Sequence, residues 1–211
     1  MRRGLNAAAQ FAALRLSLNK TTVAQELWEM HASGVRGDIF NRWLITHAAS
    51  LKMVKNMLAS YHNHKPILSA FIGLTKLLKR MKNNGPVGVL TDGRQAGQQR
   101  KLKALGLDHT FNHVIYTDTM GQDFWKPDSR LLRSLAMELA GNPSHALYVA
   151  DNPKKDFLAA RRAGLKSLRV RHHYGLYAHL EPETPDHAPD WDLIGWDKWL
   201  QNGKDLNDIL T

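Results

Sequence analysis

The stretch Leu147-Tyr148-Val149-Ala150-Asp151-Asn152-Pro153-Lys154-Lys155-Asp156-Phe157-Leu158-Ala159-Ala160-Arg161-Arg162-Ala163-Gly164 decides the fold. Residues 146–150 are an uninterrupted apolar run that stops at Asp151, and a second acid, Asp156, follows five positions later. The residues between the two acids read as a turn. Phe157, Leu158, Ala159, Ala160 and Ala163 then recur at helical spacing, and Gly164 is suited to end that helix. A buried strand that delivers a carboxylate to its C-terminal tip, beside a helix start, is where open α/β sheets place their chemistry. Two acids there suit a hard divalent cation such as Mg²⁺, which takes one or two carboxylates and keeps several waters. The same residues also suit a helix cap, with Asp151 as the capping side chain and Pro153 in the first turn. Taken alone, the stretch leaves both readings open.

Working outward, the same grammar recurs from about residue 67. A helix over about 70–83 ends in Asn83-Asn84-Gly85-Pro86, and short runs over 87–90 and 114–116 alternate with helical segments over about 94–105 and 129–140. A last run spans 167–170. This alternation predicts right-handed βαβ units in a parallel sheet. Residues 1–66 differ. Apolar positions recur there at helical spacing, in Leu5, Ala8, Ala9, Ala12 and Leu16, in Val23, Leu27 and Met30, in Phe40, Trp43, Leu44 and His47, and in Leu51, Val54, Met57, Leu58 and Tyr61. The pattern predicts an all-helical domain over 1–66 and an α/β domain over 67–211. From about 172 the tail is rich in His, Pro and Asp, and reads as irregular. Its Trp191, Ile194, Trp196 and Trp199 are expected to cover one face of the sheet domain.

The chain has 211 residues, enough for a full core. It contains no cysteine, which excludes disulfide and thiolate chemistry and fits a reducing, cytoplasmic setting. No run approaches the roughly 18 apolar residues of a membrane span. The opening Met1-Arg2-Arg3 is expected to start an amphipathic helix rather than a targeting peptide, because Asn6, Gln10 and Arg15 interrupt the apolar stretch. The net charge is +10, and nine Lys or Arg against three Asp or Glu place +6 of it in residues 1–66. No Lys/Arg block of five residues occurs, so a small anionic ligand is expected before nucleic acid. A homodimer is compatible with this composition.

Two further strand ends bear on the chemistry. The run 87–90 leads into Thr91-Asp92-Gly93, a hydroxyl followed by backbone N–H groups entering a helix, which suits a phosphate or carboxylate and equally suits a plain Asp-Gly turn. Trp125-Lys126-Pro127 precedes the helix over 129–140, and a lysine followed by proline suits an anion or an ordinary loop.

Together these segments resemble the haloacid dehalogenase-like hydrolase superfamily, in its branch with a helical cap. The resemblance is carried by Val89-Leu90-Thr91-Asp92-Gly93, by Lys101-Leu102-Lys103-Ala104-Leu105-Gly106-Leu107, by Trp125-Lys126-Pro127, and by Tyr148-Val149-Ala150-Asp151-Asn152-Pro153 through Asp156 and Gly164. In the helical part, Gly34-Val35-Arg36-Gly37 and Tyr61-His62-Asn63-His64-Lys65-Pro66 are similar to that branch too. The resemblance implies an α/β fold with a Rossmann-like parallel sheet, helices on both faces and an N-terminal helical cap. It implies Mg²⁺-dependent phosphoryl transfer from a small phosphorylated substrate through an aspartyl-phosphate. Thr91, with amides near Asp92 and Gly93, would hold the phosphoryl group, and Lys126 would stabilise its charge. Asp151 would ligate Mg²⁺, with Asp156 as second ligand or as orienter of the first. Arg36 would meet the leaving group or serve its own loop. Ala150 departs from the pattern, standing where the family commonly has glycine.

The family's first strand, ending in Asp-x-Asp with a nucleophile and a general acid, has no counterpart before the helical part of this sequence. Asp190-Trp191-Asp192 is the one other Asp-x-Asp, and it follows a proline-rich loop. That central strand is therefore expected to be missing between the strands ending in Thr91 and Asp151. The consequences expected are a gap in the sheet, weakened Mg²⁺ binding and little turnover. Two strands closing up, another chain filling the gap, and a start of the protein upstream of Met1 are the three ways to resolve it.

Overall fold

A computed structural model describes residues 1–195 and divides the chain into two units, Met1–Ile67 and Leu68–Thr211. Trp196 and Trp199 lie outside the described residues.

The first unit is helical: α1 (Arg2–Leu16), α2 (Lys20–Ala32), α3 (Ile39–Thr46), a 3-10 turn (Leu51–Met53) and α4 (Val54–Asn63). The apolar positions read from the sequence are the ones that make its core. Leu5, Ala8, Ala9 and Ala12 form a buried stripe on α1, which packs against both α2 and α4. Small side chains let the helices approach closely. A Cβ added at Gly4 would stand 2.7 Å from the Tyr61 ring, so glycine is required there. Asn19 caps α2 by accepting from the backbone N–H groups of Thr21 and Thr22 at 2.8 and 3.2 Å. Trp43 is fully buried, and its indole N–H donates to Glu26 at 2.7 Å. None of the helices described is long and apolar enough to cross a membrane.

The second unit alternates helix and strand: α5 (Leu74–Asn84), β1 (Gly88–Thr91), α6 (Gln95–Ala104), β2 (His113–Tyr116), α7 (Arg130–Ala140), β3 (Leu147–Ala150), α8 (Asp156–Ala163), β4 (Lys166–Arg171) and β5 (Trp191–Ile194). Every strand pair is parallel. Side chains alternate between two helical layers, as a period of two requires. Tyr148 packs with α7 and α8 around Leu132, Leu135, Ala159 and Ala163, whereas Leu147 and Val149 pack with Leu77 of α5. The predicted α/β fold with helices on both faces is therefore present.

One feature differs from the expectations. The tail after residue 172 contains β5, which pairs with β4 from Leu168↔Trp191 to Arg171↔Ile194. Trp191 packs on the α5 side of the sheet. Where a gap was expected, the strands form two sheets, β1-β2 and β3-β4-β5, with no ladder between β1 and β3 among the described residues. Those two strands have not closed up. The acids of Asp190-Trp191-Asp192 serve this sheet: Asp190 accepts from Ser167 N–H and Oγ at 2.7 and 2.8 Å, and Asp192 pairs with Arg171 at 2.6 Å.

Within the helical unit, desolvation and the nearby Arg36 guanidinium lower the pKa of buried His31 below its ordinary 6.5. The unfolded chain then binds a proton that the folded unit refuses, so stability should fall as pH drops below about 6.5. The His31→Gln variant should lose that part of the slope, read as the difference between urea midpoints of the two proteins at pH 7.5 and 5.5.

Candidate active site

Three loops at the C-terminal ends of β1 and β3 and before α7 are joined through two carboxylates. At the end of β1, Gly93 turns the chain at φ 100°, a conformation that favours glycine. The preceding Asp92 is buried, 7% of its side chain exposed, and both of its oxygens are engaged. Its Oδ1 accepts from the Thr117 hydroxyl at 3.0 Å and from the Lys126 backbone N–H at 3.4 Å, and its Oδ2 pairs with Lys155 Nζ at 2.6 Å. Asp92 thus ties together the ends of β1 and β2, the Lys126 loop and the start of α8. The Gln98 side chain closes the same turn by donating to the Asp92 carbonyl at 2.6 Å.

The second carboxylate is Asp156, the first residue of α8. Its Oδ1 lies 2.8 Å from Lys126 Nζ, with 9% and 5% of the two side chains exposed. The Tyr148 hydroxyl accepts from Lys126 Nζ at 2.9 Å and donates to the same Oδ1 at 3.4 Å. Asp156 Oδ2 accepts the Asn152 N–H at 3.1 Å, and Asp156 N–H donates back to the Asn152 carbonyl at 3.0 Å. That reciprocal pair shapes the turn between the acids. Position also favours the acid, because the N-terminus of a helix is electropositive.

Asp151 is not a helix cap. The N-cap position of α8 is Lys155, and the Asn152 side chain is the one that satisfies the turn, accepting from Lys154 N–H at 3.1 Å. The Asp151 side chain is open to solvent on one side and crowded by protein on the other. That crowding, with the negative charge of Asp156 beside it, holds its pKa above the ordinary carboxylate value. Burial works against the Lys126 ammonium, but the contacts with Tyr148 and Asp156 outweigh it and keep its pKa above the ordinary value. Burial, followed by the negative charges of Asp156 and Asp92, keeps Tyr148 a neutral phenol.

The sequence-predicted Asp92, Lys126, Asp151 and Asp156 are thus brought together, and Thr91 is the last residue of β1 beside them. Arg36 belongs to the first unit, where its Nη1 donates to the carbonyls of His31 and Val35 at 2.6 and 2.9 Å. Three participants went unread in the sequence: the Tyr148 hydroxyl, Lys155 and Thr117. Strand alternation identifies Tyr148 as facing α8, but no spacing rule links Lys155 to Asp92 across 63 residues.

No group of three or more His, Asp or Glu converges among the described residues. A Mg²⁺ ion needs only one or two carboxylates. Asp151 fits as a ligand, since its carboxylate is open and strained by a like charge that a cation would relieve. Asp156, with both oxygens engaged, fits better as the group that orients the site.

A fold and site of this kind define a class, and the comparisons agree with it. The family model for haloacid dehalogenase-like hydrolases matches residues 17–170, and the chain belongs to that family. It is 31% identical over 144 residues to the glyceraldehyde 3-phosphate phosphatase of Methanopyrus kandleri, covering 67% of this chain and 60% of that protein. It is 36% identical over 104 residues to the phosphoserine phosphatase of Thermus thermophilus, covering 49% of this chain and 39% of the relative. The chain therefore spans less than two thirds of the length of these relatives. A HAD family hydrolase from Deinococcus radiodurans with bound phosphate and sodium shares the fold at a TM-score of 0.64 and 15% identity, covering 93% of this chain and 86% of that one.

Removing one partner of the Lys126–Asp156 pair leaves an uncompensated buried charge. The Lys126→Met variant should lose about 3–5 kcal/mol of stability. The Lys126→Met/Asp156→Leu double variant should recover a large part of that loss. A double-mutant cycle in urea measures both, and a single loss below about 1 kcal/mol would remove the pair from its structural role.

Proposed function

We propose that this chain carries the phosphate-holding and metal-holding parts of a phosphatase that acts on a small phosphorylated metabolite. The observation that carries this reading is a buried lysine, Lys126, fixed beside the open Asp151 carboxylate at the strand ends where Thr91-Asp92-Gly93 also turns. A fixed cation, a hydroxyl and free backbone amides are what a transferring phosphoryl group needs, because its catalysis is positioning and charge stabilisation. The phosphatase names of the sequence relatives support the same class.

In this reading the Thr91 hydroxyl and the amides following it hold the phosphoryl oxygens. The Asp92 carboxylate does not, since its oxygens serve the loops. Lys126 supplies a fixed positive charge, and Tyr148 and Asp156 keep its side chain in one place. Mg²⁺, held at Asp151 with Asp156 behind it, would supply further charge for the transferring group. Arg36, expected from the sequence to meet the leaving group or serve its loop, spends its Nη1 on the loop carbonyls of His31 and Val35.

Transfer through an aspartyl-phosphate also requires a carboxylate free to attack. Asp92 and Asp156 are each paired with a lysine, and Asp151 is assigned to the metal. By this reasoning the 211-residue chain on its own turns over little substrate, since loss of a nucleophile costs on the order of 10⁶ in turnover elsewhere. The same absence favours a second reading, a non-catalytic relative that binds a phosphorylated ligand or a protein.

Assays of this chain, and of one extended upstream in frame, on a panel of phosphorylated metabolites with Mg²⁺ separate the two readings. Turnover by the extended chain, lowered about 10²–10³-fold by Lys126→Ala, is the expected result. Inertness of both across the panel would leave the binding role. Calorimetry should show Mg²⁺ binding to the wild type and not to Asp151→Asn. Affinity should weaken as pH falls towards the raised Asp151 pKa, because the metal binds the ionised carboxylate.

A further inference from the structure

The second unit carries its charge unevenly. Residues 73–107 hold eight Lys or Arg against one acid, Asp92, whereas residues 108–211 hold twelve against fifteen. Asp92 is buried and paired with Lys155, so it offsets none of the charge outside. Helical spacing gathers the cations. On α5, Leu77 and Met81 pack with Leu168 and Val170 of the sheet, and Lys76, Lys79 and Arg80 leave on the opposite side, exposed. Lys82 is exposed too, and its Nζ donates to the Thr110 carbonyl at 2.8 Å, tying the end of α5 to the loop after α6. On α6, Lys101 and Lys103 are exposed, as is Arg94 at its N-cap, and no side chain of that helix is fully buried. Among the described residues, no carboxylate pairs with Lys76, Lys79, Arg80, Arg94, Lys101 or Lys103. The two helices share a face. β3 lies beyond β1, with which it lines one cavity, so β1-α6-β2 and β2-α7-β3 cross the strands in opposite directions. Right-handed crossovers then put α6 on the face away from α7, which is the face α5 covers.

We propose that the α5–α6 face is a docking surface for the phosphodiester backbone of a double-stranded nucleic acid, held without regard to base sequence. The charge density fits. α5 has 11 residues and is about 16 Å long, and a duplex carries one negative charge per about 1.7 Å of its axis. A duplex laid along it therefore presents about nine phosphates, of which about half face the protein. The other exposed side chains suit the same partner. Thr75, Asn83, Asn84, Gln95 and Gln99 offer hydroxyls and amides, which bond phosphate and sugar oxygens. No large apolar side chain is exposed on either helix, whereas a membrane surface or an apolar protein partner would call for one. Neither helix carries an aromatic ring on which an unpaired base could stack, so the fit is to a duplex and not to a single strand. The sequence shows no five-residue Lys/Arg block because these cations are spaced by helical turns and divided between two helices.

The test titrates the 211-residue protein into a fluorescein-labelled duplex of about 20 base pairs, made once as DNA and once as RNA, and follows anisotropy as salt is varied. Binding of either duplex is expected, and the tighter one names the source. With about four phosphates neutralised, affinity should fall about 150-fold between about 50 and 200 mM salt. Lys79→Glu/Arg80→Glu and Lys101→Glu/Lys103→Glu should each weaken binding about tenfold or more at the lower salt and flatten the salt slope by about 1–2. Glutamine at the same positions, which removes charge without adding repulsion, should give the same order with smaller losses. Lys52→Glu/Lys55→Glu makes the same change on exposed lysines of the first unit and should alter affinity by less than about threefold. Equal losses in all three charge reversals would make net charge the cause and overturn the proposal. Absence of binding at the lower salt would overturn it too. So would capture of a polyglutamate of equal charge as tightly as the duplex, which would make the partner an acidic polypeptide. None of the altered residues belongs to the site at Thr91, Lys126 and Asp151, so the surface stands or falls apart from the phosphatase reading.

Discussion

Two buried carboxylates, each neutralised by one lysine, hold the working end of the second unit together. Asp92 joins the tips of β1 and β2 to α8 through Thr117 and Lys155, and Asp156 joins the loop before α7 to α8 through Lys126 and Tyr148. Leaving either charge without its partner in so dry a place would be costly, so the loops are drawn to one point. Asp151, the acid left unpaired at that point, is the one with an elevated proton affinity. The protein thus neutralises two of its carboxylates internally and leaves the third open to solvent.

The same loops span a break in the sheet. β1 and β2 pair with each other, as do β3, β4 and β5, yet no ladder crosses from β1 to β3 among the described residues. Side-chain contacts carry the load instead. Leu90 of β1 packs in one cluster with Leu132 and Leu135 of α7 and with Ala159 and Ala160 of α8. Above it, the lysine–carboxylate pairs bind the loops of the two sheets to one another. This arrangement holds without a continuous ladder, because hydrophobic layers and polar loop contacts do not require one.

Much of the architecture is legible in the sequence. The βα alternation after residue 67 and the helical periodicity before it rest on local side-chain spacing, which a single sequence displays directly. β5 escaped notice because Trp191-Asp192-Leu193-Ile194 is a short run with only alternate residues half-buried, following a proline-rich loop. Its place is set by its partner β4 and by the Asp190–Ser167 and Asp192–Arg171 contacts, all distant in sequence.

By itself the sequence singled out the candidate residues and their order: Thr91 and Asp151 after apolar runs, Lys126 in the loop before a helix, and Asp156 at a helix start. It left open whether Asp151 caps a helix or faces a metal, and whether Asp156 is a ligand or a support. The tertiary structure puts Lys155, not Asp151, at the N-cap of α8 and engages both oxygens of Asp156, which depends on where the carboxylates lie and what donates to them. Lys126, Tyr148 and the Asn152 N–H claim the oxygens of Asp156. Those partners lie as far as 30 residues from Asp156 along the chain, and proximity of that kind exists only after the strands have paired and the helices have packed.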